Sequence, residues 1–533
     1  MVKRISLVLV LLTLIAACKE ERITKDRVTQ TLDSLEHKFV WLDYRISQEL
    51  WEQYTTGSSD SLRFYEGLFN YVVSDDDLPR ILQQGRSLIS DDLENRRFEL
   101  IEAAVLRGQV EASEPVAQLR DSLSELDMSF RASLDGQERP QAELYRVYRT
   151  ADDRTRRETA WRAYHQIGEQ FAPGLERLFR LRNQQVQRMG YNNFYALMFA
   201  EEGFDLPSFL SLVNYLDSLS LAPYRQILDN VASTTGSPQV EIWDLGYAYS
   251  GTRSRIDRYF PADNQLEYIA NSLMDVDYDI DKLPLYFDLS PRDEKSQWAF
   301  SFPIKPPHDV RVLANVTDGI RSALTLMHEI GHALYATHIT EDRPLFIQSV
   351  APAWTEGMAR ITAGFMQREE WLTAYAGVPP SVAQAYLEER RERDIIDLRS
   401  RLLQLMFEYE AYRNPNRDLN RLYWDLFEQY MLLPRHEDTY PWASIIHYTT
   451  HPVYIHNYLY ADIIAAQTFH ALEEMYGDIV GNEAFSSFLN QNYFRFGARY
   501  EWRDLLERGT GERLDPEHLI RSLGIEEQQS ASL

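Results

Sequence analysis

Along most of the 533-residue chain, apolar residues recur at three- and four-residue intervals with charged residues between them. That is the pattern of amphipathic helices buried along one face. In RVTQTLDSLEHKFVWLDYRISQELWEQYT, residues 27–55, the inner stripe runs through Leu35, Phe39, Leu42 and Ile46. FAPGLERLFRLRNQQVQRMGYNNFYALMF, residues 171–199, has the same character. The period of two that marks strands is scarce. SQWAFSFPI, Ser296–Ile304, alternates and is stopped by KPP, so one small sheet is expected near the middle of the sequence. The acidic DVDYDIDKLP before it reads as a loop, and beyond about Leu519 the chain turns polar, where fraying is expected. The expected fold is mainly α.

One helical stretch is apolar around most of its circumference. In TLMHEIGHALY, Thr325–Tyr335, the residues Leu326, Met327, Ile330, Ala333 and Leu334 surround His328, Glu329 and His332. Residues four apart share a helix face, so two imidazoles can be presented to one ion while the glutamate reaches a water on it. This is the mechanical content of HExxH: two metal ligands and a general base on one rigid element. The alternative is a pair of satisfied core histidines, but a buried His–Glu–His cluster without a metal would be costly to desolvate. Gly331 removes a side chain just before His332 and permits close approach of a neighbouring element. A catalytic zinc needs a third protein ligand. The candidate is Glu356 in APAWTEGMARITAGFM, near the start of a helix marked by Trp354, Met358, Ile361 and Phe365. A solvated glutamate favoured by the helix dipole is the competing reading there.

Charge and the N-terminus narrow the setting. A formal charge of −26 repels phosphate backbones, so no nucleic-acid partner is expected. The chain opens with basic MVKR, then the 13 apolar residues Ile5–Ala17, too short for a comfortable membrane span and ending in small residues. That is the form of a secretory signal. LIAAC resembles the bacterial lipobox, in which the cysteine becomes the lipidated first residue; Cys18 is the only cysteine of the chain, which excludes intrachain disulfides. The expectation is a signal peptide over 1–17, a tether over 18–30, and a monomer anchored by lipid in the cell envelope, as an outer-membrane or cell-surface lipoprotein.

HExxH followed by a glutamate resembles the gluzincin peptidases, and within them the M2/M3 group: angiotensin-converting-enzyme-like peptidases, thimet oligopeptidase and oligoendopeptidase F. DVRVLANVTDGIRSALTLMHEIGHALY is similar to the strand-and-helix approach to the metal in the M2 branch, and LRNQQVQRMGYNNFYALMF to an upstream helix of both branches. HYTTHPVYIHNYLYADIIAAQTF, His447–Phe469, is similar to an oligoendopeptidase segment in which a histidine precedes a proline and two tyrosines four apart. Those places fall on His447, Pro452, Tyr454 and Tyr458, with His451 and His456 competing for the histidine role. His338 and His470 read as structural or surface.

The resemblance implies a neurolysin-like helical ellipsoid over 31–525, two helical halves around a deep cleft with a small sheet near the metal, and a polar tail over 526–533. It implies one Zn²⁺ held by His328, His332 and Glu356, with Glu329 as general base. His447, Tyr454 and Tyr458 then support the oxyanion, and oligopeptides are the substrates. Dipeptide release from C-termini, a surface peptide-binding protein without turnover, and a zinc amidohydrolase on a non-peptide substrate are the alternatives. Two positions depart from the M2 pattern. Arg360 stands where an acidic residue orients a ligand histidine, so either another group orients it or the metal is tuned differently. Ile445 stands where a lysine holds the substrate carboxylate in dipeptide-releasing enzymes.

Overall fold

The structure, a computed structural model, describes residues 22–525. The expected signal peptide, Cys18 and the 526–533 tail lie outside the described residues. Among those described, no helix is long and apolar enough to cross a membrane.

The fold is mainly helical with two small sheets. Its helices include α1 (Lys25–Thr56), α2 (Gln141–Thr150), α3 (Gln166–Arg188), α4 (Ser250–Asp257), α5 (Ile320–His338), α6 (Pro352–Met366), α7 (Pro380–Arg413) and α8 (Ile455–Tyr476). α1 follows the expected stripe: Leu35, Phe39 and Leu42 are buried, while Ile46 is half-buried. It starts on the Thr24 hydroxyl, which accepts the Arg27 N–H, and stops at Gly57, whose φ of +82° closes the left-handed C-terminal cap. The second long stretch is not one helix. α3 ends at Arg188, Gly190 takes φ +92°, and a new helix, Phe194–Glu201, starts on the Asn193 side chain.

A hairpin of β1 (Ala132–Leu134) and β2 (Gln137–Arg139) has no counterpart in the sequence expectations. The main sheet comprises β3 (Leu285–Asp288), β4 (Phe300–Lys305) and β5 (Asp309–Leu313) in the order β3-β5-β4. β3 is parallel to β5 and β4 antiparallel to it, which leaves β4 at an edge. The expected strand over 296–304 therefore begins only at Phe300 and runs to Lys305. The polar C-terminus is also better ordered than expected: Glu517–Ser522 is helical, and Leu519, Ile520, Leu523 and Ile525 are buried. Leu519, Ile520 and Leu523 are spaced for one face, and that short apolar set outweighs the surrounding polar residues.

The site rests on three stacked helices, with α6 between α5 and α8. Glycine permits both contacts. A methyl group at Gly331 would lie 2.8 Å from the Ala359 Cα and from the Thr362 Cβ on α6, and one at Gly357 would lie 2.9 Å from Ile464 on α8. The backbone of Ala359 cannot yield as a side chain can, so Gly331→Ala overpacks the α5–α6 contact. The expected cost is about 1–3 kcal/mol, read from denaturant unfolding. The N-terminal wall has a hydrophobic core of its own, in which Val28, Leu32, Leu35 and Phe39 meet Val73, Ile81, Phe98 and Ile101.

Candidate active site

Helix α5 presents its histidines as its sequence pattern requires. Ile330, Leu326, Met327, Ala333 and Leu334 are buried, and His328 and His332 point from the remaining face with their rings 4.8 Å apart. α6 brings Glu356 against them. Its Oε2 lies 3.4 Å from His328 Nε2 and 3.8 Å from His332 Nε2. The three donor atoms all fall within 4.8 Å of one another.

Glu356 Oε2 is buried and has no hydrogen bond. An ionised oxygen left so would be costly, whereas a cation between it and the two imidazoles would satisfy all three groups. Protonation states agree with that use. Burial pushes the Glu356 carboxyl up, but the adjoining histidines and the Tyr454 hydroxyl outweigh it and hold the group down at about 2. Burial lowers His332 to about 4, so its imidazole is neutral. A carboxylate with imidazoles is a donor set suited to a divalent transition metal.

Glu329 sits one residue from His328 and is 8% exposed. Burial pushes its carboxyl up to about 7, and Glu356 pushes the same way; His328 and the backbone N–H of Ser301 on β4 pull against them. A carboxyl poised near neutrality suits proton transfer in either direction.

The segment after His447 closes the other side. Tyr454 donates its hydroxyl to Glu356 Oε1 at 2.8 Å, and His447 Nε2 lies 3.2 Å from the Tyr458 hydroxyl. The two tyrosine rings are 5.3 Å apart. Burial lowers His447 to about 4 and raises both phenols, so all three groups are neutral hydrogen-bonding partners. The site therefore brings together His328, Glu329, His332, Glu356, His447, Tyr454 and Tyr458. His451 lies beside it, its ring 6.0 Å from that of Tyr454. His456 is fully buried against Glu202 at 3.0 Å, His338 bonds the Leu334 carbonyl at 2.8 Å, and His470 faces Glu474 on the surface at 3.5 Å.

Because the Tyr454 hydroxyl fixes the outer oxygen of a metal-ligand candidate, Tyr454→Phe is expected to weaken metal retention by about 10- to 100-fold, measured by competition with a chromogenic chelator.

Residues without a sequence signature hold these groups. Thr355 Oγ1 lies 2.9 Å from His332 Nδ1, so a hydroxyl on α6 occupies the orienting place. Arg360 is instead paired with Asp462 at 3.3 Å. The only hint in the sequence is that Thr355 directly precedes Glu356. Arg182 on α3, fully buried, donates to the Tyr448 and Thr449 carbonyls at 2.8 Å each and pairs with Glu111. On α7, Glu408 Oε1 accepts the Val453 N–H at 2.7 Å. Val453 has φ +56°, a left-handed conformation unfavourable for a β-branched residue, and it immediately precedes Tyr454.

A mainly helical fold with this donor set is the arrangement of a metallopeptidase. The family model for peptidase family M3 matches residues 147–525, and the chain belongs to that family. Of the two branches that the sequence resembles, the match is to M3. The fold is similar to that of PZ peptidase A, solved with an inhibitor: the TM-score is 0.70 at 15% sequence identity, covering 95% of this chain and 97% of that one. No curated protein sequence matches the chain.

Proposed function

We propose that this M3 metallopeptidase is a zinc enzyme that hydrolyses peptide bonds within oligopeptides. The observation that carries the reading is the buried, unbonded Oε2 of Glu356 facing the Nε2 atoms of His328 and His332. Zn²⁺ held by those three residues, one per chain, would supply Lewis acidity toward the scissile carbonyl and its attacking water.

The chain's own residues do the rest. Glu329 accepts a proton from the water at its carboxylate and returns it to the leaving amine. Tyr458 and His447 stand as neutral donors where the carbonyl oxygen gains charge, and such contacts act most strongly in the transition state. Tyr454 and Thr355 keep the ligands Glu356 and His332 in place. The edge strand β4, whose Ser301 N–H already reaches Glu329, offers main-chain hydrogen bonds to an extended peptide. The protein acts as a monomer, anchored in the cell envelope through a lipidated Cys18.

The deciding experiment digests a mixed oligopeptide library with zinc-loaded protein and reads the products by mass spectrometry. Internal cleavages abolished by chelator are the expected outcome. Release of C-terminal dipeptides alone would replace the reading with peptidyl-dipeptidase activity. Binding without any cleavage would make the protein a peptide receptor.

A further inference from the structure

The face of α5 that carries the histidines continues toward the helix N-terminus. His332, His328, Thr325 and Arg321 follow a spacing of four, three and four along one face, and each is partly or fully exposed. At 1.5 Å per residue, Arg321 lies about 10 Å along the helix from His328 and nearly in line with it. An extended peptide advances about 3.3 Å per residue, so that distance is about three substrate residues.

Arg321 is not alone there. Its guanidinium lies 4.8 Å from the centre of the Tyr145 ring on α2, and that of Arg149 lies 5.1 Å from the same ring. Arg149 also donates to the Tyr145 hydroxyl at 3.0 Å, while its Nε is buried with no hydrogen bond. Arg253 on α4 and Arg393 on α7 complete the group. Burial lowers Arg253 to about 10, and the like charges of Arg149, Arg393 and Arg321 push the same way.

Among the described residues, none of these four arginines has an ion-pair partner within 4.0 Å. The nearby carboxylates act on the group only at longer range, and several bond other partners directly. Asp257 accepts the Ile320 N–H at 3.0 Å, Glu392 accepts the Tyr249 hydroxyl at 2.9 Å, and Glu389 is bonded to Thr252. Asp397 stands near Tyr145 and Arg149 without pairing to them. In a chain of charge −26, Arg149 and Arg321 crowd one tyrosine ring without a direct ion pair, and Arg253 feels the repulsion of its arginine neighbours. An anion shared among them would remove that repulsion, and forked guanidinium donors match a carboxylate.

We propose that Arg149, Arg253, Arg321 and Arg393 form a carboxylate-binding subsite, which receives an acidic group of the peptide about three residues from the scissile bond. The inference rests on the peptidase reading above and names part of its specificity. The carboxylate has two possible sources, an Asp or Glu side chain or the substrate's own C-terminus.

The test uses zinc-loaded Glu329→Gln protein and titration calorimetry, so that binding is measured without turnover. A neutral octapeptide blocked at both ends is the reference probe. One arm steps a single Glu, and its Gln counterpart, through each position; a second compares the free C-terminal acid with the amide. The expected result is binding about tenfold tighter for Glu at one position, or for the free acid, with the preference falling below about threefold in Arg321→Gln and in Arg149→Gln. Which arm responds identifies the source. Equal binding of every acidic and neutral pair by protein with all four arginines intact overturns the subsite, as does a preference that survives both substitutions. The wild-type comparison decides even where a substituted protein fails to fold. Failure of wild-type zinc enzyme to cleave any of these peptides would count against the peptidase reading alone, because the binding preference is read separately.

Discussion

Glu329→Gln is expected to lower kcat on any cleaved peptide by about 10²–10⁴-fold while leaving bound metal at wild-type stoichiometry. Glutamine keeps the size and the hydrogen-bond acceptor toward the Ser301 N–H but cannot take a proton. Glu329 is buried beside His328 and is not among the three residues whose donor atoms lie within 4.8 Å of one another, so the donor set survives the change. KM should move little, because the lost interaction develops during the reaction rather than on binding. Stopped assays with a quenched-fluorescence peptide, paired with metal analysis by plasma mass spectrometry, measure both quantities. A variant that retains more than a tenth of wild-type kcat would remove Glu329 from the proton-transfer role.

Glu356→Gln should abolish activity by a different route, through loss of the metal. The substitution keeps the side-chain volume and the Tyr454 contact but removes the negative charge that faces two imidazoles. Metal content is expected to fall below about one tenth of an equivalent after gel filtration. A ligand held at 1,000 times its dissociation constant stabilises the native state by about 4 kcal/mol. Chelator should therefore lower the melting temperature of the wild-type protein and leave that of Glu356→Gln unchanged. A variant that still melts at a chelator-sensitive temperature would show that the carboxylate is not a ligand.

Legibility in the sequence followed the range of the interactions. The α5 motif could be read because its spacing is local: four residues fix two histidines on one face whatever the rest of the chain does. Glu356 was within reach because α6 returns directly against α5. The His447–Tyr458 block was found through its resemblance to a family, not through its pattern, since tyrosines four apart are common in a chain with 32 of them. Thr355, Arg182 and Glu408 were invisible because each acts across the fold, and Arg182 meets carbonyls 266 and 267 positions away. The arginine group was hidden for the same reason, its members contributed by α2, α4, α5 and α7. Element boundaries failed where a single backbone feature decided them, as at Gly190, or where a short apolar set outweighed polar neighbours, as after Leu519.

The glycine seams on either side of α6 have a mechanical meaning. With no side chain between the backbones at Gly331 and Ala359, and only Ile464 against Gly357, α5, α6 and α8 have no slack in which to slide. Any breathing that admits a substrate must therefore hinge away from these two seams. The spacing of His328, His332 and Glu356 is thereby set by backbone meeting backbone, not by side chains that could repack.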